Sequence, residues 1–473
     1  MKTTNTRVID PLRSLSVSNP IGDHNRCKAG KNRNMRRSFL LCKEYLFPLA
    51  AKESRPPAGV LLSVVLLTLF TLGIALPGLM PDLHSNTSAH PDFKGMFNGN
   101  APAGPVSKEP VRSLLYANAK TKIYARLMPF FGAKGHVDVG YDSADPEEVH
   151  KQVEDMISRG IDGAILDWYG PDNHHHNRVA LLVRQEAEKH AGFQFAISED
   201  HGALKNCARQ RGCDQTKRLV DDLNYAHDNF ERSPAYVRLG ERPVVMFFDV
   251  EKRPIDWQYV RKVVSGNPLF VFRNSGAFSL VHSDGGYAWI GDTKEGQNGM
   301  PYLTRFYKRY FDARQKGPEV IFGSVYKGFD DRAASWSKNR IVPQDCGQTW
   351  LRTFAEINQR FSADHPLDAL QIITWNDYEE GTEIETGIEN CAAISASHSG
   401  PEVNWKLIGN ENTIDHYTVW VLSAGNATQQ LDVQVGKHSL RLAPDELHLG
   451  STVYIEAVGK ACIRNHFSSP IRF

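Results

Sequence analysis

Short apolar, β-rich runs alternate with segments of helical period from Lys122 onward, and this alternation constrains the fold more than any other feature of the chain. The runs are KIYARLM (122–128), GAILDWY (163–169), FQFAISE (193–199), PVVMFFDV (243–250), PLFVF (268–272), GYAWI (286–290), EVIFGSV (319–325) and LQIITW (370–375). Helical patterns lie between most of them, such as PEEVHKQVEDMISRG (146–160), NRVALLVRQEAEKH (177–190), CDQTKRLVDDLNYAHDNF (213–230) and TWLRTFAEINQRF (349–361). The first helix has Asp145 as its N-cap and Pro146 in its first turn, and it stops at Gly160. Eight strands alternating with helices predict an α/β protein built on a (β/α)8 TIM barrel. The fifth-to-sixth connection, RNSGAFSLVHSDG, scarcely makes a helix. An open doubly wound sheet is the alternative, but no Gly-rich phosphate loop follows the first strand.

The pattern changes after about residue 396. VNWKLIG, HYTVWVLSA, QQLDVQVG, HSLRLAP, TVYIEAVG and SSPIRF are short alternating strands separated by turns, which predicts a small all-β sandwich. It resembles a fibronectin type III module. Trp405 and Trp420 are expected in its core, with a carbohydrate-binding face as the alternative.

The N-terminal region is organised differently. Residues 1–55 carry twelve Lys or Arg against four acids, although the whole chain has a net charge of only +1. The remainder is mildly acidic, which gives no electrostatic case for nucleic acid. Residues 58–76 (AGVLLSVVLLTLFTLGIAL) hold nineteen residues without a charge. At about 1.5 Å per residue such a helix spans roughly 28 Å, close to a bilayer core. Basic residues precede it, so the N-terminus is expected in the cytoplasm and the rest outside it. A cleaved signal peptide is the alternative, and a buried core helix is a further one. The expected domains are a basic cytoplasmic tail (1–57), a transmembrane anchor (58–76), a Pro/Gly/Ser/Asn-rich stalk (77–119), the barrel (120–395) and the sandwich (396–473). Ordered structure is expected to begin near Thr121. Asn86 and Asn426 are glycosylation acceptors if the source has a eukaryotic secretory pathway.

Five cysteines follow the apolar run: Cys207, Cys213, Cys346, Cys391 and Cys462. Cys207 and Cys213 share one short loop and are the expected disulfide pair; pairing among the other three is open. No CxxC pair is present to suggest zinc. His174, His175 and His176 are consecutive, and three consecutive residues cannot all face one ion from regular structure, so no metal site is expected.

In such a barrel the chemistry lies at the C-terminal ends of the strands. Most of those ends carry a carboxylate, often beside an aromatic: Asp167-Trp168-Tyr169, Glu199-Asp200, Asp249 with Glu251, Trp289 with Asp292, and Tyr326 followed by Asp330-Asp331. The eighth end, ITWNDYEEGTEIE, concentrates Asp377, Glu379, Glu380, Glu383 and Glu385 directly after a buried strand. Aromatic faces stack on the C–H faces of sugar rings, and carboxylates bond their hydroxyls. Glycoside hydrolysis also needs two carboxyl groups, one protonated and one ionised. Crowded acids on a partly dry rim raise the pKa of one of them. A single strand-end Asp is more often a cap than a catalytic group. Glu383 and Glu385 are expected to be solvated loop acids.

The motif QIITWNDYEEG (371–381) is similar to the eighth-strand motif of the family 71 endo-α-1,3-glucanases, Trp-Asn-Asp-Tyr-Gly-Glu. EGTEIE (380–385) is similar to the family 99 endo-α-mannosidases, and GAILDWYGP (163–171), ERPVVMFFD (241–249) and GFDDRAASW (328–336) look like corresponding strand ends there. The resemblance covers roughly residues 121–392. It implies Glu380 as the general acid and Asp377 at the second catalytic position. Asp377 matches family 71 in residue type, while Gly381-Thr382 matches family 99. Asp is one methylene shorter than the family 99 Glu, so retention or inversion stays open.

Together these readings give the expectation of a membrane-anchored, extracytoplasmic glycoside hydrolase acting on an α-linked glycan. An α-glucan is the first substrate class and an endo-α-mannosidase-like activity the second. Asp167, Glu199, Asp249, Asp330, Asp331 and Asn376 are expected to hold substrate, with Trp168, Tyr169, Tyr326 and Trp375 shaping subsites. The acid–base chemistry needs no cofactor. A non-catalytic glycan-binding protein and a scaffold organised by the sandwich are the alternatives from other classes.

Overall fold

The computed structural model describes residues 105–291, 299–315, 319–423, 428–447 and 449–473. The expected tail, the apolar run 58–76, Asn86, Asp292 and Asn426 lie outside them. No helix among the described residues is long and apolar enough to cross a membrane.

Eight parallel strands close into a barrel. They are β1 (Lys122–Leu127), β2 (Gly163–Trp168), β3 (Gln194–Asp200), β4 (Arg242–Phe248), β5 (Leu269–Arg273), β6 (Gly285–Tyr287), β7 (Val320–Tyr326) and β8 (Ala369–Ile373). Each pairs with the next. The circle closes where Lys122 to Ala125 of β1 pair with Ala369 to Ile372 of β8. This excludes an open doubly wound sheet. All eight overlap the apolar runs, the sixth (Gly285–Tyr287) only at the start of GYAWI, because strands covered by helices outside and side chains inside must be apolar on both faces.

The helices α1 (Pro146–Ser158), α2 (His174–Ala187), α3 (Gln215–Ala226), α4 (Trp257–Val263), α5 (Met300–Arg314) and α6 (Gln348–Asn358) pack outside. Asp145 caps α1 by accepting from the Glu147 N–H, with Pro146 at the start, as the sequence predicts. Between β5 and β6 the chain forms a 3-10 turn, Ser275–Ser279.

The expected stalk differs from the structure at its C-terminal end. Val106 bridges Arg464, the Ser107 N–H donates to the Ile463 carbonyl at 3.0 Å, and Val111 is fully buried. Ordered chain therefore begins before Thr121. Val111 and Leu115 bury apolar surface against the barrel, which a Pro- and Gly-rich composition does not reveal.

Among the described residues, eight further strands from Ala393 onward form two antiparallel sheets, one of three strands and one of five. Trp405 and Trp420 are buried, as expected. The indole N–H of Trp420 donates to Glu456 at 2.7 Å. Ala461, Cys462 and Ile463 belong to the barrel's own core, and the Trp350 indole of α6 donates to the Ala461 carbonyl at 3.1 Å. A disulfide joins Cys346, just before α6, to Cys391, just before the first of these strands. Cys207 and Cys213 form the expected bond, and Cys462 is free and buried.

Candidate active site

A cavity of about 880 Å³ opens at the C-terminal ends of the strands. Asp167, Asp200, Asp377 and Glu380 line it, with Phe130, Tyr169, Phe248, Trp289 and Trp336 as its aromatic surfaces. His136, His201 and the segment around Cys207 and Cys213 complete it.

The acidic run after β8 divides its work. Asp377 and Glu380 face the cavity. Glu379 turns the other way, is 1% exposed, and accepts from the Val137 N–H at 3.1 Å with His136 Nδ1 at 3.0 Å. It thereby fastens the loop after β1. Glu385 accepts from the hydroxyls of Tyr378 (2.8 Å) and Tyr141 (3.0 Å), and Glu383 pairs with Lys327 at 2.6 Å. Neither is the solvated loop acid expected from sequence. Burial raises Glu385 to about 6. Thr382 folds the run back, its N–H reaching the Asp377 carbonyl at 3.0 Å.

The two cavity acids have different settings. Asp377 is 3% exposed, and its Oδ1 accepts the backbone N–H groups of Glu379 (3.1 Å) and Glu380 (2.9 Å). Burial, and then the charge of Glu380, push it well above the ordinary carboxyl range, while the Glu380 N–H opposes that rise. Glu380 is more open, with 16% of its side chain exposed, and lies 3.9 Å from Arg340. Burial raises it to about 7, against the pull of Arg340. A pair of acids raised in this way retains a proton near neutral pH.

Beneath them, Arg126 is fully buried and donates from Nη2 to Asp167 at 2.8 Å. Its guanidinium lies 5.1 Å from the Trp289 ring centre and 5.4 Å from that of Phe248, both of which line the cavity. Burial raises Asp167 and Arg126 opposes the rise; burial and then Asp167 raise Asp200 strongly.

Of the residues singled out from sequence, Asp377, Glu380, Asp167 and Tyr169 come together at the cavity. Others lie elsewhere. Trp168 points outward, against Tyr225 of α3 and Phe230. Glu199 is fully buried and interacts with Asp222 and Arg218 of α3. In both cases the neighbouring residue, Asp167 or Asp200, is the one facing inward, because side chains alternate along a strand. Trp375 is buried with Arg159 over its ring at 4.9 Å. Asn376 clamps β1 by accepting from the Met128 N–H (2.8 Å) and donating to the Met128 carbonyl (3.0 Å). Tyr326 is buried beneath Gly299. Asp249 is held by Arg273 and by Lys252 at 2.7 Å, and Asp330 by Arg332. Asp331 is buried and accepts from Arg340 Nε (2.6 Å), the Arg340 N–H (2.8 Å) and Ser337 (3.0 Å), which fixes the 329–340 loop and aims Arg340 at Glu380. None of these eight lines the described cavity.

Sequence reasoning passed over Arg126, Phe130, His136, Phe248, Trp336 and Arg340. Phe130, Trp336 and Arg340 sit on loops whose path is not periodic. Arg126 could have been noticed as a cation inside an apolar strand.

No family model and no curated protein matches the chain. Two solved structures of the GH99 endo-alpha-mannosidase from Bacteroides thetaiotaomicron are similar to it. The complex with bis-tris-propane has 16% identity and a TM-score of 0.45, covering 57% of this chain and 88% of that one. The other structure has the same identity and coverage, with a TM-score of 0.44. The barrel rests on its own strand pairing rather than on this distant likeness.

Among the described residues, His150 of α1, Glu186 of α2 and His190, just after α2, lie close enough together to share one metal ion, and none of them lines the cavity. His174 lines the cavity at the start of α2, whereas His176 is buried, and burial lowers it to about 3.

Proposed function

We propose that the protein is a glycoside hydrolase that cleaves an α-linked glycan with Glu380 as general acid and Asp377 as the second catalytic carboxylate. The observation that carries this reading is the joint exposure of Asp377 and Glu380 to one aromatic-walled cavity, while the other three acids of the same run are tied elsewhere. A glycosidic oxygen leaves poorly unless protonated. Glu380, raised to about 7 and the more open of the two, supplies that proton. Asp377, with two backbone N–H groups on one oxygen, is built to carry negative charge once the proton has left the pair. It acts as base on water or on a substrate hydroxyl. Asp167 and Asp200 accept hydroxyl hydrogen bonds, and Tyr169, Trp289 and Trp336 offer faces for pyranose rings.

An α-glucan, in the manner of endo-α-1,3-glucanases, is the first substrate class. An α-mannan is the second, and the solved structures named above are of an endo-alpha-mannosidase. The two disulfides support folding in an oxidising compartment, in keeping with an extracytoplasmic domain carried by the apolar run 58–76 as a single-pass anchor.

The test is product release from a panel of α-glucans and α-mannans, with Glu380→Gln as control. Cleavage of one polymer, abolished in the variant, is expected. Binding without cleavage in both proteins would overturn the hydrolase reading in favour of a glycan-binding barrel.

A further inference from the structure

The cavity has two unlike sides. Its floor carries the carboxyl groups. One wall is the segment KNCARQRGC, residues 205–213, of which Lys205, Asn206, Cys207, Gln210 and Cys213 line the cavity. Lys205, Arg209 and Arg211 are all exposed, and among the described residues none of the three has an ion-pair partner.

Other cations around the cavity are already occupied. Arg126 pairs with Asp167, Arg340 with Asp331, and Arg218 with Asp172 and Asp222. The wall segment is also covalently fixed. The Cys207–Cys213 bond closes a loop with a sequence separation of six, and the short helical turn Lys205–Arg209 runs into it. A fixed loop presents its charges with less ordering cost than a free one. A neutral glycan gains nothing from three unpaired cations, whereas an acidic substituent pairs with them through charge-assisted hydrogen bonds.

We propose that the segment 205–213, pinned by the Cys207–Cys213 bond, is an anion-reading wall and that the glycan taken by this cavity carries acidic groups, either carboxylate or sulfate. From the preceding reading it takes only the point that a glycan occupies the cavity. Lys205 lines the cavity and Arg209 and Arg211 stand beside it on the same segment, outside the lining, so these charges select the substrate rather than act on the bond being broken.

The experiment measures binding to the full chain carrying Glu380→Gln, at low and at physiological salt. The probes are a neutral malto-oligosaccharide, an oligogalacturonate and a sulfated dextran fragment of similar length. At least one acidic probe is expected to bind about tenfold or more tightly than the neutral one, with the preference shrinking as salt rises. Comparison of the two acidic probes separates carboxylate from sulfate. The triple variant Lys205→Ala, Arg209→Ala, Arg211→Ala should lose that preference and keep its affinity for any neutral probe. Lys122→Ala, at the opposite end of the barrel, should keep the preference. Equal binding of neutral and acidic probes, a preference that survives the triple variant, or no binding of any probe would each overturn the proposal. Hydrolysis by the unmodified chain is assayed separately. Cleavage without charge preference retires the anion-reading wall alone, and charge preference without cleavage retires the hydrolase alone.

Discussion

Arg126 Nη2 lies 2.8 Å from Asp167 Oδ1, with the guanidinium entirely buried under the cavity floor. The pair joins β1 to β2 inside the barrel. The Arg126 Nε and Nη1 have no hydrogen-bond partner among the described residues, so Asp167 and the surrounding rings carry its electrostatic compensation. Arg126→Met strands a buried carboxylate and should cost about 3–5 kcal/mol of stability, read from urea unfolding. Adding Asp167→Asn to that variant should recover much of the loss. A double variant no more stable than Arg126→Met would show that the pair is not coupled.

Glu380 links activity to pH. If it donates the proton, activity falls as pH rises through about 7, and Glu380→Gln removes activity at every pH. A rate that is flat from pH 6 to 8 would exclude the role.

The same group links stability to pH in a calculable direction. Its folded pKa is raised above the unfolded value, so the stability it contributes is full below about pH 4.5 and is lost as pH rises through about 7. Glu380→Gln should therefore be more stable than the parent at pH 8, by about 1–2 kcal/mol. The raw shift corresponds to about 3 kcal/mol, but the 16% exposure of the side chain reduces it. Thermal unfolding of both proteins at pH 5 and pH 8 checks the sign.

Glu379 holds the loop after β1 by its bonds to Val137 and His136. Glu379→Ala leaves that amide without its partner and should cost about 1–3 kcal/mol. Hydrogen exchange in residues 132–140 should speed up in the variant. Unchanged exchange would mean that other contacts hold the loop.

The two disulfides should contribute unequally. Chain-entropy reasoning gives about 4 kcal/mol for Cys346–Cys391 and about 2 kcal/mol for Cys207–Cys213, since their sequence separations are 45 and 6. Paired Cys→Ser variants compared by denaturant midpoint would test the order.

The sequence by itself determined the barrel, because strands buried on both faces must be apolar in runs and helices covering them must be amphipathic. It also marked the acid-rich end of β8 and the Cys207–Cys213 bond, which are local in the chain. Tertiary structure alone decided which acids share the cavity. Asp167 and Trp168 are adjacent in sequence, yet one faces the cavity and the other faces α3, because a strand turns successive side chains to opposite sides. An inward or outward choice of one residue depends on where strand pairing begins, and an all-apolar run does not encode it. Arg340 reaches Glu380 through Asp331 for a similar reason. Its loop has no period to read, and its path is fixed by hydrogen bonds that exist only after the barrel has closed.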